Sequence, residues 1–71
     1  MNLYRFEVAL AEGPIHVIIA AENDDAAFRL VDIELEKHYL SMPDVKDVSL
    51  YEKKKIRKGT GFVLSQLETA L

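Results

Sequence analysis

Cysteine is absent from this 71-residue sequence, and so is tryptophan. The lack of cysteine excludes disulfides and thiol catalysis, and it argues against a zinc site. No apolar run approaches the roughly 18–20 residues that a membrane span needs. Arg5 and Glu7 interrupt the apolar residues at the N-terminus, so we expect no signal peptide. We therefore expect a cytoplasmic protein without a membrane partner.

A strong positive charge is also missing. The net charge is −3, from 9 basic and 12 acidic residues, and this balance gives no global footprint for nucleic acid. With 49% hydrophobic and 30% charged residues, the composition is typical of a folded protein. We expect one small domain over residues 1–71, whose modest core has no disulfide to support it.

The clearest pattern in the sequence is an amphipathic helix from Asn23 to Leu40. Asn23 is a favoured N-cap, because its side-chain oxygen can accept a backbone N–H at the start of the helix. Helical spacing places one apolar stripe toward the core. This stripe comprises Ala27, Phe28, Val31, Leu35 and Tyr39.

A second apolar stripe, Ala26, Leu30 and Ile33, lies nearly opposite the first. One interpretation is that isolated apolar residues on a surface are ordinary. The other is that Leu30 and Ile33 are covered by the C-terminal tail or by a second copy of the chain. The sequence leaves both interpretations open.

Four segments have the patterns of β-strands. They are Leu3–Leu10, Ile15–Ala21, Val45–Ile56 and Phe62–Leu64. With the helix between the second and third, the pattern predicts an α+β fold of order ββαββ. We expect a four-stranded, mostly antiparallel sheet with the helix packed on one face. The third strand can return beside either the first or the second strand, and we favour the order 2-1-3-4. The opposite face, which includes Arg5 and Tyr51, is expected to remain open.

The tail from Ser65 to Leu71 begins with a capping box, in which Glu68 follows Ser65 by three residues. It predicts a short C-terminal helix. Because seven residues cannot hold a helix alone, we expect the tail either to dock on another surface or to be mobile.

Four stretches of the chain resemble a known family: YRFEV, the AEND helix start, ELEKHYL and EKKKIRKGTGFVL. The sequence is similar to a family of short bacterial proteins, chiefly from Bacillus-like Gram-positive bacteria, that is classed only as a domain of unknown function. The resemblance extends to Leu64 and is most specific over Glu34–Leu40 and Arg57–Leu64. The family has no assigned activity, so the resemblance implies no catalytic residues.

The run from Lys53 to Lys58 holds five basic residues in six. With Tyr51 nearby and Phe62 across the predicted hairpin, it is a candidate patch for phosphate contacts and base stacking. The candidate anion or nucleic-acid contacts are Lys53, Lys55, Arg57, Lys58, Gly59 and Gly61. Lysines on an exposed strand also serve simply to block edge-to-edge pairing, and Gly59–Gly61 is typical of a hairpin turn.

No pattern in the sequence predicts catalysis. Glu34 and His38 are four residues apart on the helix, a spacing that suits a metal ion but also an ordinary contact on a helix surface. We expect no catalytic residue, no metal site, no cofactor and no enzymatic activity.

The exposed apolar residues are the best indication of a partner surface. They are Ala26, Leu30, Ile33, Ile18 and Tyr51. Our first hypothesis is a non-enzymatic interaction or regulatory module that forms a homodimer or docks on another protein. The alternative hypothesis is a weak nucleic-acid or anion binder acting through the basic hairpin 53–61.

Overall fold

The computed structural model describes residues 1–64 of the chain. Strand β1 (Asn2–Leu10) and strand β2 (Gly13–Ala21) are followed by helix α1 (Asp24–Tyr39) and strand β3 (Val45–Lys55). The fold is α+β, with one helix and a three-stranded antiparallel sheet in the order β2-β1-β3. The predicted helix and first three strands are therefore confirmed, as is their order. The predicted C-terminal helix lies outside the described residues.

The predicted fourth strand at Phe62–Leu64 is not confirmed, since these residues have no regular structure. The chain leaves β3 at Lys55 and bends at residues 57–58. The ammonium group of Lys54 then donates to the Gly61 carbonyl at 2.7 Å and lies 4.7 Å from the Phe62 ring centroid. A side chain of β3, and not a second β-ladder, thus contacts the returning segment.

Helix α1 begins and ends as its sequence predicts. The Asn23 side chain accepts the Ala26 N–H at 2.9 Å, and Asp24 and Asp25 occupy the first turn. Carboxylates there interact favourably with the positive end of the helix dipole. Leu40, with a φ of 64°, takes the left-handed conformation that stops the helix.

The core lies between α1 and one face of the sheet. Alternate residues of β1 supply its centre, and Ile19, Ala21 and three helix residues complete it. The buried set is Tyr4, Phe6, Val8, Leu10, Ile19, Ala21, Ala27, Val31 and Leu35. Ile15, Val17, Val48 and Leu50 pack against this set, as the alternation along each strand predicts.

The two predicted helix stripes are each only partly right. Phe28 lies at the margin of the core, 42% exposed, with its ring edge toward Phe6 at 4.9 Å. Ala26 and Leu30, expected on the surplus stripe, pack against the core, whereas Ile33 is 47% exposed. The helix contacts both β1 and β2, so its apolar face is wider toward β2 than a single stripe suggests.

Candidate functional site

The two edges of the sheet differ in how well they are protected. Strand β3 carries three consecutive lysines, and its pairing with β1 is interrupted where Arg5 faces Glu52 and Phe6 faces Leu50, which leaves Tyr51 as a bulge. Charged side chains and bulges discourage further strand pairing. Strand β2 reads GPIHVIIAA and contains no Lys, Arg, Asp or Glu. Among residues 1–64, β2 is thus the unprotected edge.

Backbone hydrogen bonds determine which groups of β2 reach that edge. The Ala11 N–H donates to the Asp44 carbonyl at 3.2 Å, and the Ile56 N–H donates to the Met1 carbonyl at 3.1 Å. Odd-numbered residues along β1 therefore direct their backbone N–H and C=O groups toward β3. Because this direction alternates along an antiparallel strand, the even-numbered residues of β1 bond β2.

The register between β1 and β2 determines which backbone groups of β2 point to the open edge. Even-numbered residues of β1 face odd-numbered residues of β2, as Phe6 faces Val17. Even-numbered residues of β2 consequently point their N–H and C=O groups to the open edge, where no strand of residues 1–64 lies. Proline has no N–H, so Pro14 offers only its carbonyl. The edge donors are the N–H groups of His16, Ile18 and Ala20.

A groove runs beside this edge, between β2 and the helix. Its larger part, about 340 Å³, is lined by residues 15–18 of β2 and by Glu34, Leu35, His38 and Tyr39 of α1. A smaller part, about 200 Å³, is lined by residues 18–20 with Leu30 and Glu34. Ile18 and Glu34 border both parts, so the two hollows follow one another along β2.

One row of helix residues forms the wall of the groove. Leu30, Glu34 and His38 are spaced four apart and so lie above one another on α1. The Glu34 carboxylate accepts from Lys37 at 3.3 Å and stays exposed. The His38 ring packs edge-on against Tyr39 at 4.7 Å. No cluster of three or more potential metal ligands occurs in residues 1–64.

The face of the sheet away from the helix is not open as expected. Arg5 is 6% exposed, and its guanidinium pairs with Glu52 at 3.0 Å. It also lies over the Tyr51 ring at 5.3 Å and near the Phe62 ring at 6.0 Å. The aromatic residues around this arginine were visible in the sequence, but their proximity depends on the bend after β3.

The predicted interface residues do not form a single surface. Ile18, 39% exposed, lies on the edge strand. Leu30 lies in the groove wall, and Ile33 lies on the outer side of the helix. Tyr51 belongs to β3, two strands away, where its hydroxyl donates to Glu7 at 3.1 Å. Ile18 and Leu30 border the same hollow, whereas Tyr51 lies on the other face of the sheet, with its ring 6.2 Å from that of His16.

Two lysines of the predicted basic patch form contacts within the chain, and its other three cations are exposed to solvent. Lys53 donates to Asp24 at 3.1 Å, and Lys54 donates to the Gly61 carbonyl. Lys55, Arg57 and Lys58 are exposed and form no ion pair within residues 1–64. Within residues 1–64, Gly13 has a positive φ, whereas Gly59 and Gly61 do not. The backbone conformation at Gly59 and Gly61 is therefore one that other residues can also adopt.

The Asp24–Lys53 contact connects the start of the helix to β3 and carries a prediction about pH. The hydrogen bond from Lys53, and then the one from Tyr4, lowers the pKa of Asp24 below 3.8, and the same carboxylate raises the pKa of Lys53 above 10.5. The Asp24 contribution to stability is present above pH 3.8 and is lost as pH falls through the lowered folded pKa. The Lys53 contribution is present below pH 10.5 and is lost above its raised folded pKa.

Lys53→Met should move the pKa of Asp24 up toward 3.8 in a carboxyl NMR titration.

Lys55→Met is the matched control, since Lys55 has no acidic partner within residues 1–64. It should leave the Asp24 titration unchanged. An equal change in both variants would assign the shift to net charge, and not to the Asp24–Lys53 hydrogen bond.

These features define the class of the protein: over residues 1–64 it is a small α+β domain with a helix on one face of a three-stranded antiparallel sheet, and β2 is the unprotected edge of that sheet. The sequence model of one family matches residues 1–64, and the chain belongs to that family, described as "Protein of unknown function (DUF3906)". The match confirms the resemblance to a domain of unknown function, though it does not bear on a Bacillus-like origin.

No curated protein and no solved structure matches the chain. Within residues 1–64, no helix has the length and apolar character needed to cross a membrane.

Proposed function

We propose that this chain is a non-enzymatic interaction module of the cytoplasm, which self-associates or docks on another protein through the edge of β2. The observation that carries the proposal is the uncharged nine-residue edge strand with three outward N–H donors. An added strand would bond these donors, as in β-strand addition. Each such bond contributes about 0.5–1.5 kcal/mol net.

The groove supplies the second part of a docking surface. Ile15, Val17 and Leu30 offer apolar contacts on the helix side of β2. Glu34 and His38 offer hydrogen bonding at the rim of the groove. Backbone bonds give affinity in this mode of recognition, and side-chain pockets give specificity. Glu34 and His38 are both exposed, and water at these groups favours a binding role over acid–base chemistry.

Blocking the edge tests the proposal. Ile18→Pro removes an N–H that points away from β1, a position at which an edge strand tolerates proline. A tagged wild-type chain should co-purify from its native cells with a stoichiometric partner, either an untagged copy or another protein. Ile18→Pro should reduce that recovery at least tenfold.

Ile18→Val is the matched control, because it keeps the N–H and the β-branched side chain. It should recover the partner as the wild type does. Equal recovery with Ile18→Pro, or no stoichiometric partner of the wild type, would refute an interaction role for this edge.

A second candidate function is weak binding of nucleic acid or another polyanion through residues 53–61. The exposed cations of Lys55, Arg57 and Lys58, with no ion pair inside residues 1–64, favour it. Three phosphate contacts predict a salt slope of roughly −2 for single strands. A polarisation titration with a single-stranded oligonucleotide should show this slope and lose it when all three residues are changed to Gln. Lys37→Gln is the control, and no binding at low salt would eliminate the candidate.

A further inference from the structure

We infer that the partner at the β2 edge is a second copy of this chain, with the two β2 strands paired antiparallel about a two-fold axis at Val17. The inference rests on the proposed function and specifies its partner. The resulting assembly would have one continuous six-stranded sheet, with both helices on the same face and both β3 strands at the outer edges.

The edge donors fit this register. A two-fold axis at Val17 places His16 of one copy opposite Ile18 of the other, and Pro14 opposite Ala20. The N–H groups of His16, Ile18 and Ala20 then each meet an outward carbonyl, which gives six hydrogen bonds across the pair. Pro14 takes part through its carbonyl, so its missing N–H leaves no donor unused.

The groove wall is complementary to itself in the same register. Glu34 borders both hollows beside Ile18, whereas His38 borders only the hollow formed by residues 15–18. Four helical residues span about 6 Å, and two strand residues span about 6.8 Å. A two-fold rotation that exchanges positions 16 and 18 therefore also exchanges Glu34 and His38.

Each Glu34 carboxylate consequently faces the His38 imidazole of the other copy. The adjacent register, with its axis at Ile18, brings Glu34 against Glu34 instead. An imidazole N–H that can donate to the Glu34 carboxylate favours the first register, and two carboxylates facing each other disfavour the second. Lys37, which already pairs with Glu34 in one chain at 3.3 Å, sits on the helix beside this contact and adds positive charge to the histidine side.

The position of the helix leaves the right space between the two copies. Helix α1 contacts β1 through the Phe6–Phe28 ring pair and contacts β2 along the groove. With strands about 4.8 Å apart, a helix above the β1–β2 pair lies about 5 Å from the axis. The two helices are then about 10 Å apart, within the usual range for packed helices of about 8–10 Å.

A single cysteine placed on the axis tests the register. Val17 faces its own copy as a non-hydrogen-bonded pair, for which Cα atoms lie about 4.5 Å apart, and a disulfide needs about 4.4–6.8 Å. The chain has no natural cysteine, so any cross-link is unambiguous. Val17→Cys should form a covalent dimer almost completely in a glutathione redox buffer, and not in urea.

Two further single cysteines complete the cross-linking experiment. Ile15→Cys is half-buried on the same face but lies about 14 Å from its own copy, so it should stay uncross-linked. Ile18→Cys should cross-link first only if the axis is at Ile18. Cross-linking of Ile15→Cys as fast as Val17→Cys would overturn the inference.

A charge exchange provides a test that needs no cysteine. Glu34→Lys should weaken dimerisation at least tenfold in sedimentation equilibrium, and adding His38→Glu should restore most of it. The wild type should have the mass of a dimer by light scattering. A wild-type monomer at high concentration overturns the inference whatever the variants do.

The outcomes separate this inference from the proposed function. If the purified chain is monomeric but Ile18→Pro still abolishes co-purification, the edge binds another protein and only the inference fails. If Ile18→Pro changes neither co-purification nor mass, both fail.

Discussion

Phe6→Ala should lower the free energy of unfolding by about 3–5 kcal/mol at 25 °C. Phe6 is fully buried at the centre of the middle strand, between the stacked Tyr4 ring at 6.1 Å and the edge-on Phe28 ring at 4.9 Å. Truncation of a buried phenylalanine costs about 3–5 kcal/mol. A chain of 71 residues has a total stability of roughly 4–11 kcal/mol, so this loss is between about a quarter of the total and all of it. Urea unfolding followed by far-UV circular dichroism measures the effect.

Phe28→Ala is the control for this prediction. Its ring contacts Phe6 but is 42% exposed, so its loss leaves a smaller cavity and should cost less than half as much. Similar losses for both variants would mean that the helix covers Phe28 more fully than the structure shows.

Ile19→Pro should destabilise the protein far more than Ile18→Pro. Ile19 is buried and pairs with Tyr4, toward which its N–H points. Proline there removes a ladder bond and part of a buried side chain, which together cost about 3–5 kcal/mol. The Ile18 N–H points to the open edge, so its removal should cost only about 1 kcal/mol.

Unfolding of the two proline variants should be compared at low protein concentration, so that association does not contribute. The comparison tests whether the N–H groups of even-numbered residues of β2 point to the open edge and those of odd-numbered residues point to β1. If Ile18→Pro is the more destabilised variant, the N–H donors at the open edge are those of the odd-numbered residues.

The features of the fold that depend on residues close together in the sequence were predicted correctly. Asn23 acts as the cap that its side chain predicts, and the alternation around Phe6 places the central strand correctly. The fourth strand is not confirmed, because the chain after Lys55 returns through contacts of Lys54 with Gly61 and Phe62. Such contacts between a side chain and a returning segment leave no periodic signal.

The candidate site was predictable only in part. Ile18 and Leu30 stand out as apolar residues without an obvious role, and both border the groove. Which backbone groups reach the edge follows from the pairing of Ala11 with Asp44, a contact between distant parts of the chain. The burial of Arg5 likewise depends on Glu52 and Phe62 coming together around it.

The contrast between the two sheet edges limits how far any assembly can grow. A strand that adds to β2 occupies the exposed edge, and the next addition would have to occur at β3. There, three lysines and the bulge at Tyr51 oppose pairing. If the proposed two-fold pair forms at β2, association is therefore self-terminating: the pair closes on itself, and open-ended addition of strands into a fibre is blocked at both outer edges.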